Sequence, residues 1–293
     1  MDLRQLRCVV AVGEHQHFTR AAEQLGLAQS AVSAQVRALE TELGVVIFER
    51  SSRNVNVTAP GELVLARART ILGQVDRLAD DVRPTDDVGG TVRIGTISST
   101  SAVVLPAVLA ALLERHPGIT VSVSSRISSV IVREVRDGTV DVGIVGARAG
   151  RVTPGLEFRR LWSEQILVLA PPGHALACRR RVRVAELADL RLVDYPLGAG
   201  TRAETDRMFR EAGVSRVPRL EVDSTELIVE LVRRGLGVGL LPAGPAVAFP
   251  DLVTVPVVDG PTRSVWAVSR TGDTAAPTRA LLTVIDSVAG SLG

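Results

Sequence analysis

Three segments of this 293-residue chain place hydroxyl or guanidinium groups where a helix begins. Ser98-Ser99-Thr100-Ser101 lies between a strand-like run and a helical one, and Ser128-Ser129 opens the next helix in the same way. Hydroxyls beside the free N–H groups of a helix N-terminus make a ready anion site. Farther along, Gly198-Ala199-Gly200-Thr201-Arg202 opens another helix, where an arginine can grip a carboxylate through two parallel hydrogen bonds. Each serine has a plainer reading as an N-cap, and Arg202 as a surface charge. Place favours the binding reading. Ser98, Ser99, Ser101 and Ser128 fall at strand carboxyl ends of one α/β set, and Gly200, Thr201 and Arg202 open a helix of a second set.

Other chemistries find no support. Gly235-Leu236-Gly237-Val238-Gly239 has the glycines of a dinucleotide loop, but it follows a helix and enters a strand, the reverse order. His15 and His17 do not share a helix face, and no cysteine or carboxylate pattern joins them, so no metal is expected. Cys178 stands beside Arg179-Arg180-Arg181, which would depress a thiol pKa. The other cysteine, Cys8, belongs to a different domain and is not placed to resolve it. Nucleophile, base and orienting group never occur together, so neither catalysis nor a cofactor is expected.

Periodicity supplies the elements. Leu3, Leu6, Val9 and Val10 recur at helical spacing. A short helix follows from Arg20 to Leu25 with Thr19 as its N-cap, and Gly26 breaks it. A third helix opens at Ala28-Gln29-Ser30, carries Ala31, Val32, Val36, Leu39 and Leu43 on one face, and ends at Gly44. Val45–Phe48 and Val55–Val57 read as strands joined by an arginine-bearing turn. The pattern is a winged helix-turn-helix over residues 1–58. Thr58 caps a long helix over 59–84 with Pro60 in its first turn. Val64, Ala68, Ile71, Val75, Leu78 and Val82 form a heptad seam that fits a dimer; the alternative is a helix packed on its own domain. Residues 59–88 therefore read as linker helix and hinge. From 89 to 293 strands alternate with helices, including one helix from Ala102 to His116, and two β runs between Leu156 and Ala170 cross to a second set. The expected fold class is α/β. One lobe spans about 89–162 and 266–293, the other about 163–265, with a ligand cleft between them.

Ala21-Ala22, Leu25, Gln29, Ser33, Val36, Leu39-Glu40, Leu43-Gly44, Ile47-Phe48 and Arg50 resemble the helix-turn-helix signature of LysR-type transcriptional regulators. Asp137–Ile144 and Gly235–Pro242 resemble recurring segments of that family's effector domain. The resemblance implies a DNA-binding regulator, a homodimer or homotetramer, a coiled-coil linker helix and a periplasmic-binding-protein-like domain that senses a small molecule. RNA polymerase is a further partner such a regulator can have. On this resemblance the recognition helix starts at Gln29. Gln29 and Ser30 face base edges, Ser33, Gln35 and Arg37 suit phosphate or further groove contacts, and Arg50 and Arg53 flank the wing at the backbone or minor groove. Ser33 has a second reading in turn packing, Arg50 as a solvated charge, and Glu40 reads as structural. Ala34 departs from the pattern, since many relatives carry arginine there. Ser99, Ser128 and Thr201 fall near effector positions, and the hydroxyl loops with Arg202 lean toward an anionic effector.

Composition agrees. All 34 basic residues are arginine against 32 acidic ones, too even a balance to imply nucleic acid by itself. Aromatics are 3%, which argues against single-strand binding by base stacking. No run approaches the ~18 apolar residues of a membrane span, and Met1–Arg7 has no apolar signal core, so a cytoplasmic protein is expected. A solute-binding protein or an enzyme on the α/β part are the competing readings.

Overall fold

The computed structural model describes residues 1–50, 55–81, 88–101, 104–147, 153–258, 260–272 and 275–289. The chain forms two compact units, Met1–Arg83 with Asp137–Thr139, and the remainder from Pro84.

In the first unit, α1 (Leu3–His15) begins with a reciprocal cap: the Asp2 carboxylate accepts from Gln5 N and the Gln5 side chain from Asp2 N, each at 2.8 Å. Helix α2 (Phe18–Leu25) is capped by His17, whose Nδ1 accepts from Thr19 N at 3.2 Å. Thr19 is therefore not the cap; the helix starts two residues earlier, at Phe18, whose ring is buried in the core. Gly26 closes α2 at φ +64°, where an L side chain is strained. Helix α3 (Gln29–Leu43) buries Val32, Val36 and Leu39 completely. Strand pairing begins later than expected, with β1 (Phe48–Arg50) antiparallel to β2 (Val55–Val57). The Glu40 carboxylate takes the N–H groups of Ile47 (2.8 Å) and Phe48 (3.2 Å), and Ile47 O accepts from Thr58 N. Val45–Ile47 thus form a stapled loop. Helix α4 (Ala59–Asp81) follows, with Gly61 N donating to the Thr58 hydroxyl at 2.9 Å.

The second unit contains β3 (Gly90–Thr96), α5 (Ser98–Ser101), α6 (Leu105–Arg115), β4 (Ile119–Ser125), α7 (Ser128–Asp137), β5 (Val142–Ala147) and β6 (Leu156–Ala170). Two 3-10 turns, Ala175–Cys178 and Val184–Leu187, lead to β7 (Leu192–Asp194), α8 (Gly200–Glu211), β8 (Leu220–Glu221), α9 (Thr225–Arg233), β9 (Val238–Pro242), α10 (Ala243–Val247), β10 (Val253–Pro256), β11 (Thr262–Arg270) and α11 (Ala276–Ala289). The helix expected from Ala102 to His116 is α6, which begins at Leu105 after the separate short α5; Pro106 sits in the first turn of α6, where its missing N–H costs nothing. The two β runs after Leu156 are one 15-residue strand. Strand order is β4-β3-β5-β11-β6-β9-β7-β8, with β10 also beside β6. The pairs β3/β4, β3/β5, β7/β8 and β7/β9 are parallel, as βαβ connections require, while β6, β10 and β11 run antiparallel to their partners. Leu156–Gln165 of β6 pair with β11, and Ile166–Leu169 pair with β9. One strand thus serves both lobes. Separate apolar cores fill them: Ile94, Val108, Val142 and Leu281 in one, Val168, Leu187, Phe209 and Leu240 in the other.

Candidate DNA-reading helix and interlobe cleft

Helix α3 is two-faced. Its apolar stripe is sealed against α1 and α2, while Ala28, Gln29, Ser30 and Arg37 are exposed. Ala28 gives no side-chain cap, which leaves first-turn N–H groups open to an incoming oxygen. Gln35 is half-buried. Ser33 lies on the inward side at 7% exposure and serves packing, which corrects its reading as a groove contact. Arg50 ends β1 opposite Val55; its side chain, and Arg53 entirely, lie outside the described residues.

The seam on α4 is divided. Ala68 is 1% exposed in the core of its own unit, beside Leu65 at 2%. For Ala68 the expectation of an intermolecular contact is corrected: α1 packs there so closely that a Cβ on Gly13 would lie 2.6 Å from Leu65 Cδ2. Val64 and Ile71 are partly covered by the same core, and Val75 is half-buried. Leu78 is 63% exposed and Leu63, off the seam, 62%. Val82 lies outside the described residues.

In the second unit a small cavity opens between the lobes. From the first lobe it is lined by Ile97, Ser98, Ser99, Arg126, Ile127 and Ser128. Tyr195, Ala199, Gly200, Thr201 and Asp223 line it from the second, and Arg263 from β11. Five of the expected residues are therefore brought together: Ser98, Ser99, Ser128, Gly200 and Thr201. The Ser101 side chain lies outside the described residues. Gly200 has a structural reason, since a Cβ there would overlap the Gly146 carbonyl oxygen of β5. The lobes also touch through hydrogen bonds. Ser98 Oγ donates to Asp223 O at 3.0 Å and lies 3.1 Å from the Thr225 hydroxyl, and Ser129 N donates to Gly198 O at 3.2 Å. Tyr195 OH lies 2.8 Å from the same Thr225 hydroxyl, and burial pushes its pKa up to about 12.

Arg202 is the clearest correction. It does not line the cavity. Its Nε donates to Asp206 at 2.9 Å, and its Nη1 to Tyr195 O at 2.9 Å and to Glu221 Oε1 at 2.5 Å. Asp206 also takes Arg216 Nη2 at 2.6 Å, and Arg216 pairs with the fully buried Asp194. Burial of Asp194 raises its pKa, and the Arg216 cation acts against the rise. Arg202 is thus one member of a charge network that fixes α8. Two cationic groups do reach the cavity, exposed Arg126 and, missed in the sequence, Arg263, which is 1% exposed and paired with Glu164. Its signal was an arginine inside a strand-forming run, but only the pairing of β11 with β6 gives that arginine a place.

Residues 3–62 match the family description "Bacterial regulatory helix-turn-helix protein, lysR family", and residues 85–290 match "LysR substrate binding domain". The chain belongs to the LysR family. It is a DNA-binding transcriptional regulator with an effector-binding domain. A probable hydrogen peroxide-inducible genes activator of Mycobacterium avium is 34% identical over 239 residues, 81% of this chain and 76% of that one. The regulator IlvR of Caulobacter vibrioides is 32% identical over 288 residues, 95% of each chain. Full-length CbnR in complex with its target DNA superposes with a TM-score of 0.70 at 25% identity, covering 98% of this chain and 100% of that one. These LysR relatives are regulators rather than enzymes. Among the described residues, no helix is long and apolar enough to cross a membrane.

Proposed function

We propose that this LysR regulator reads duplex DNA with α3 from each protomer of a homodimer or homotetramer, and that a small anionic molecule in the interlobe cavity controls it. One observation carries the DNA side: Gln29, Ser30 and Arg37 stand exposed on a helix whose apolar face is sealed. That leaves an uncapped, polar edge free to enter a major groove, with Arg50 and Arg53 of the wing against the backbone or minor groove. Exposed Leu78, with Val75 and Val82 on the same stripe, supports a partner helix across the distal half of α4. The division into a DNA-binding domain to residue 58, a linker to 88 and an effector domain beyond follows from these roles. An effector acts by favouring one of two assembly states.

The chain's cysteines argue against thiol-based peroxide sensing in the cavity. Cys8 is buried in the DNA-binding unit with its pKa raised by burial, and Cys178 lies on an exposed 3-10 turn. Neither lines the cavity. Relatives that are transcriptional regulators support a domain that binds rather than converts its ligand. Action in the cytoplasm, with RNA polymerase as a promoter partner, fits this role. Gel shifts on dyad sequences near the protein's own gene test the reading. Binding at low salt that weakens for Arg50→Ala is expected. Absence of any shift overturns it.

A further inference from the structure

We propose that the second lobe carries a ligand site of its own, apart from the interlobe cavity, and that this site takes an aliphatic monocarboxylate of medium chain length with its acid group on Arg183. A pocket of about 540 Å³ opens in that lobe and shares no residue with the interlobe cavity. Its volume falls within the ~300–1,000 Å³ of ordinary ligand sites. Three segments build it. Val182 is fully buried and held in a lone parallel bridge to Val257, with its N–H on Pro256 O at 3.0 Å and its carbonyl taking Val258 N at 2.8 Å. Side chains alternate along such a stretch, so Arg181 and Arg183 turn away from the side that Val182 buries. The 3-10 turn Val184–Leu187 follows at once. Helix α8 supplies Arg207 and Met208 and, one turn on, Glu211. Val258 and Pro261 line the pocket from the connection between β10 and β11.

The chemistry of this lining selects the ligand. Val184, Met208, Val258 and Pro261 offer aliphatic surface. Among the described residues of the lining there is no ring to stack on an arene and no hydroxyl or amide side chain to bond a polar body. Its charged side chains are Arg183, Arg207 and Glu211. Arg207 is already engaged: Nε and Nη2 donate to Glu204 Oε2 at 3.2 and 2.8 Å, and Nη1 donates to both Glu211 oxygens at 3.0 Å. The Arg183 backbone N–H meets Glu186 at 2.8 Å, while its guanidinium has no ion pair among the described residues. In the run before it, Arg179 pairs with Glu186, and exposed Arg180 and Arg181 have no such partner among the described residues. The field at this end of the pocket is therefore positive. One uncommitted guanidinium beside an aliphatic hollow calls for one acid group on a hydrocarbon chain. The carboxylate accepts two parallel N–H bonds from Arg183. The methylenes leave water against Met208 and Val258. Exposed Glu211, on the α8 side, repels a second carboxylate.

Calorimetric titration of the full chain with butyrate, hexanoate and octanoate, each against its neutral amide, tests this. Octanoate binds, and affinity rises about fourfold for every methylene added along the series. Each amide binds about fivefold more weakly than its acid. Arg183→Gln alters an exposed side chain without an ion pair, so the protein keeps its circular dichroism and binds octanoate about fivefold more weakly. Ala185→Glu, at an exposed position of the same lining, sets a like charge beside the acid group and weakens binding as well. No binding of octanoate, an affinity that ignores chain length, equal binding of an amide, or full affinity in either variant overturns the proposal. Octanoate that loses affinity in Thr201→Val but keeps it in Arg183→Gln sits in the interlobe cavity, which overturns it too.

Discussion

Arg263 and Glu164 stand directly opposite each other on β11 and β6 and form a buried ion pair, with Nη2 2.8 Å from Oε1. They lie two residues before β6 turns from β11 to β9 at Ile166, so the pair sits where one lobe gives way to the other. Glu164 also accepts from Gly244 N at 2.9 Å, which ties the start of α10 to the same point. Removing one partner strands the other charge in the interior. Arg263→Met is therefore expected to cost about 3–5 kcal/mol of stability, and Arg263→Met/Glu164→Met to recover much of it. Urea melts of the two singles and the double give the coupling energy. Additive single effects would show that the pair is not a unit.

How much of this could be read beforehand follows from the range of the forces involved. Helices α1 to α3 are set by local caps, glycine stops and 3.6-residue stripes, so the residues alone place them to within a few positions. Ser128 and Thr201 were found because a helix start after a strand is also a local feature. Arg202 and Arg263 were not separable by such signals. Both are arginines near the cleft in sequence terms, yet Arg202 meets Glu221, 19 residues on, while Arg263 meets Glu164, 99 residues back. Nothing local ranks those two partnerships. Ala68 failed for the same reason: a heptad spacing describes a stripe but not what covers it.

The divided stripe on α4 separates two kinds of substitution. Leu78→Glu places a charge on an exposed apolar position of the proposed partner seam and is expected to shift the protein to monomer while the chain stays folded. Ala68→Leu forces extra volume into a filled core and costs about 1–3 kcal/mol of stability. Sedimentation and circular dichroism together read both effects. A monomer in neither variant, with Leu78→Glu still assembled, places the partner interface elsewhere.

On α3, base reading and phosphate contact predict different salt behaviour. Gln29→Ala should remove about 1–3 kcal/mol of discrimination at one base position, with little change in salt dependence. Arg37→Ala should weaken binding to all sequences alike and lower the slope of log K against log salt by roughly 0.9, one phosphate's worth. Fluorescence anisotropy over a salt series with matched and single-mismatch duplexes distinguishes them. If the Arg37 variant keeps the full slope, that side chain does not reach a phosphate.

Tyr195 provides a pH signature of the folded effector domain. Burial pushes its pKa from the ordinary value near 10 up to about 12, so the folded chain keeps its phenol proton where the unfolded chain has released it. A group raised on folding stabilises fully below its unfolded pKa and loses that contribution as pH climbs toward the folded one. Stability should therefore fall above pH ~10, by roughly 1.4 kcal/mol at pH ~11 from this group. Tyr195→Phe loses the hydrogen bond to Thr225, about 1 kcal/mol at neutral pH, but has no proton to lose. Its penalty relative to the unmodified protein must then shrink with rising pH and vanish near pH ~11. Denaturant melts of both proteins from pH ~8 to ~11 measure the difference, and a penalty that stays constant across that range would falsify a buried, proton-holding Tyr195.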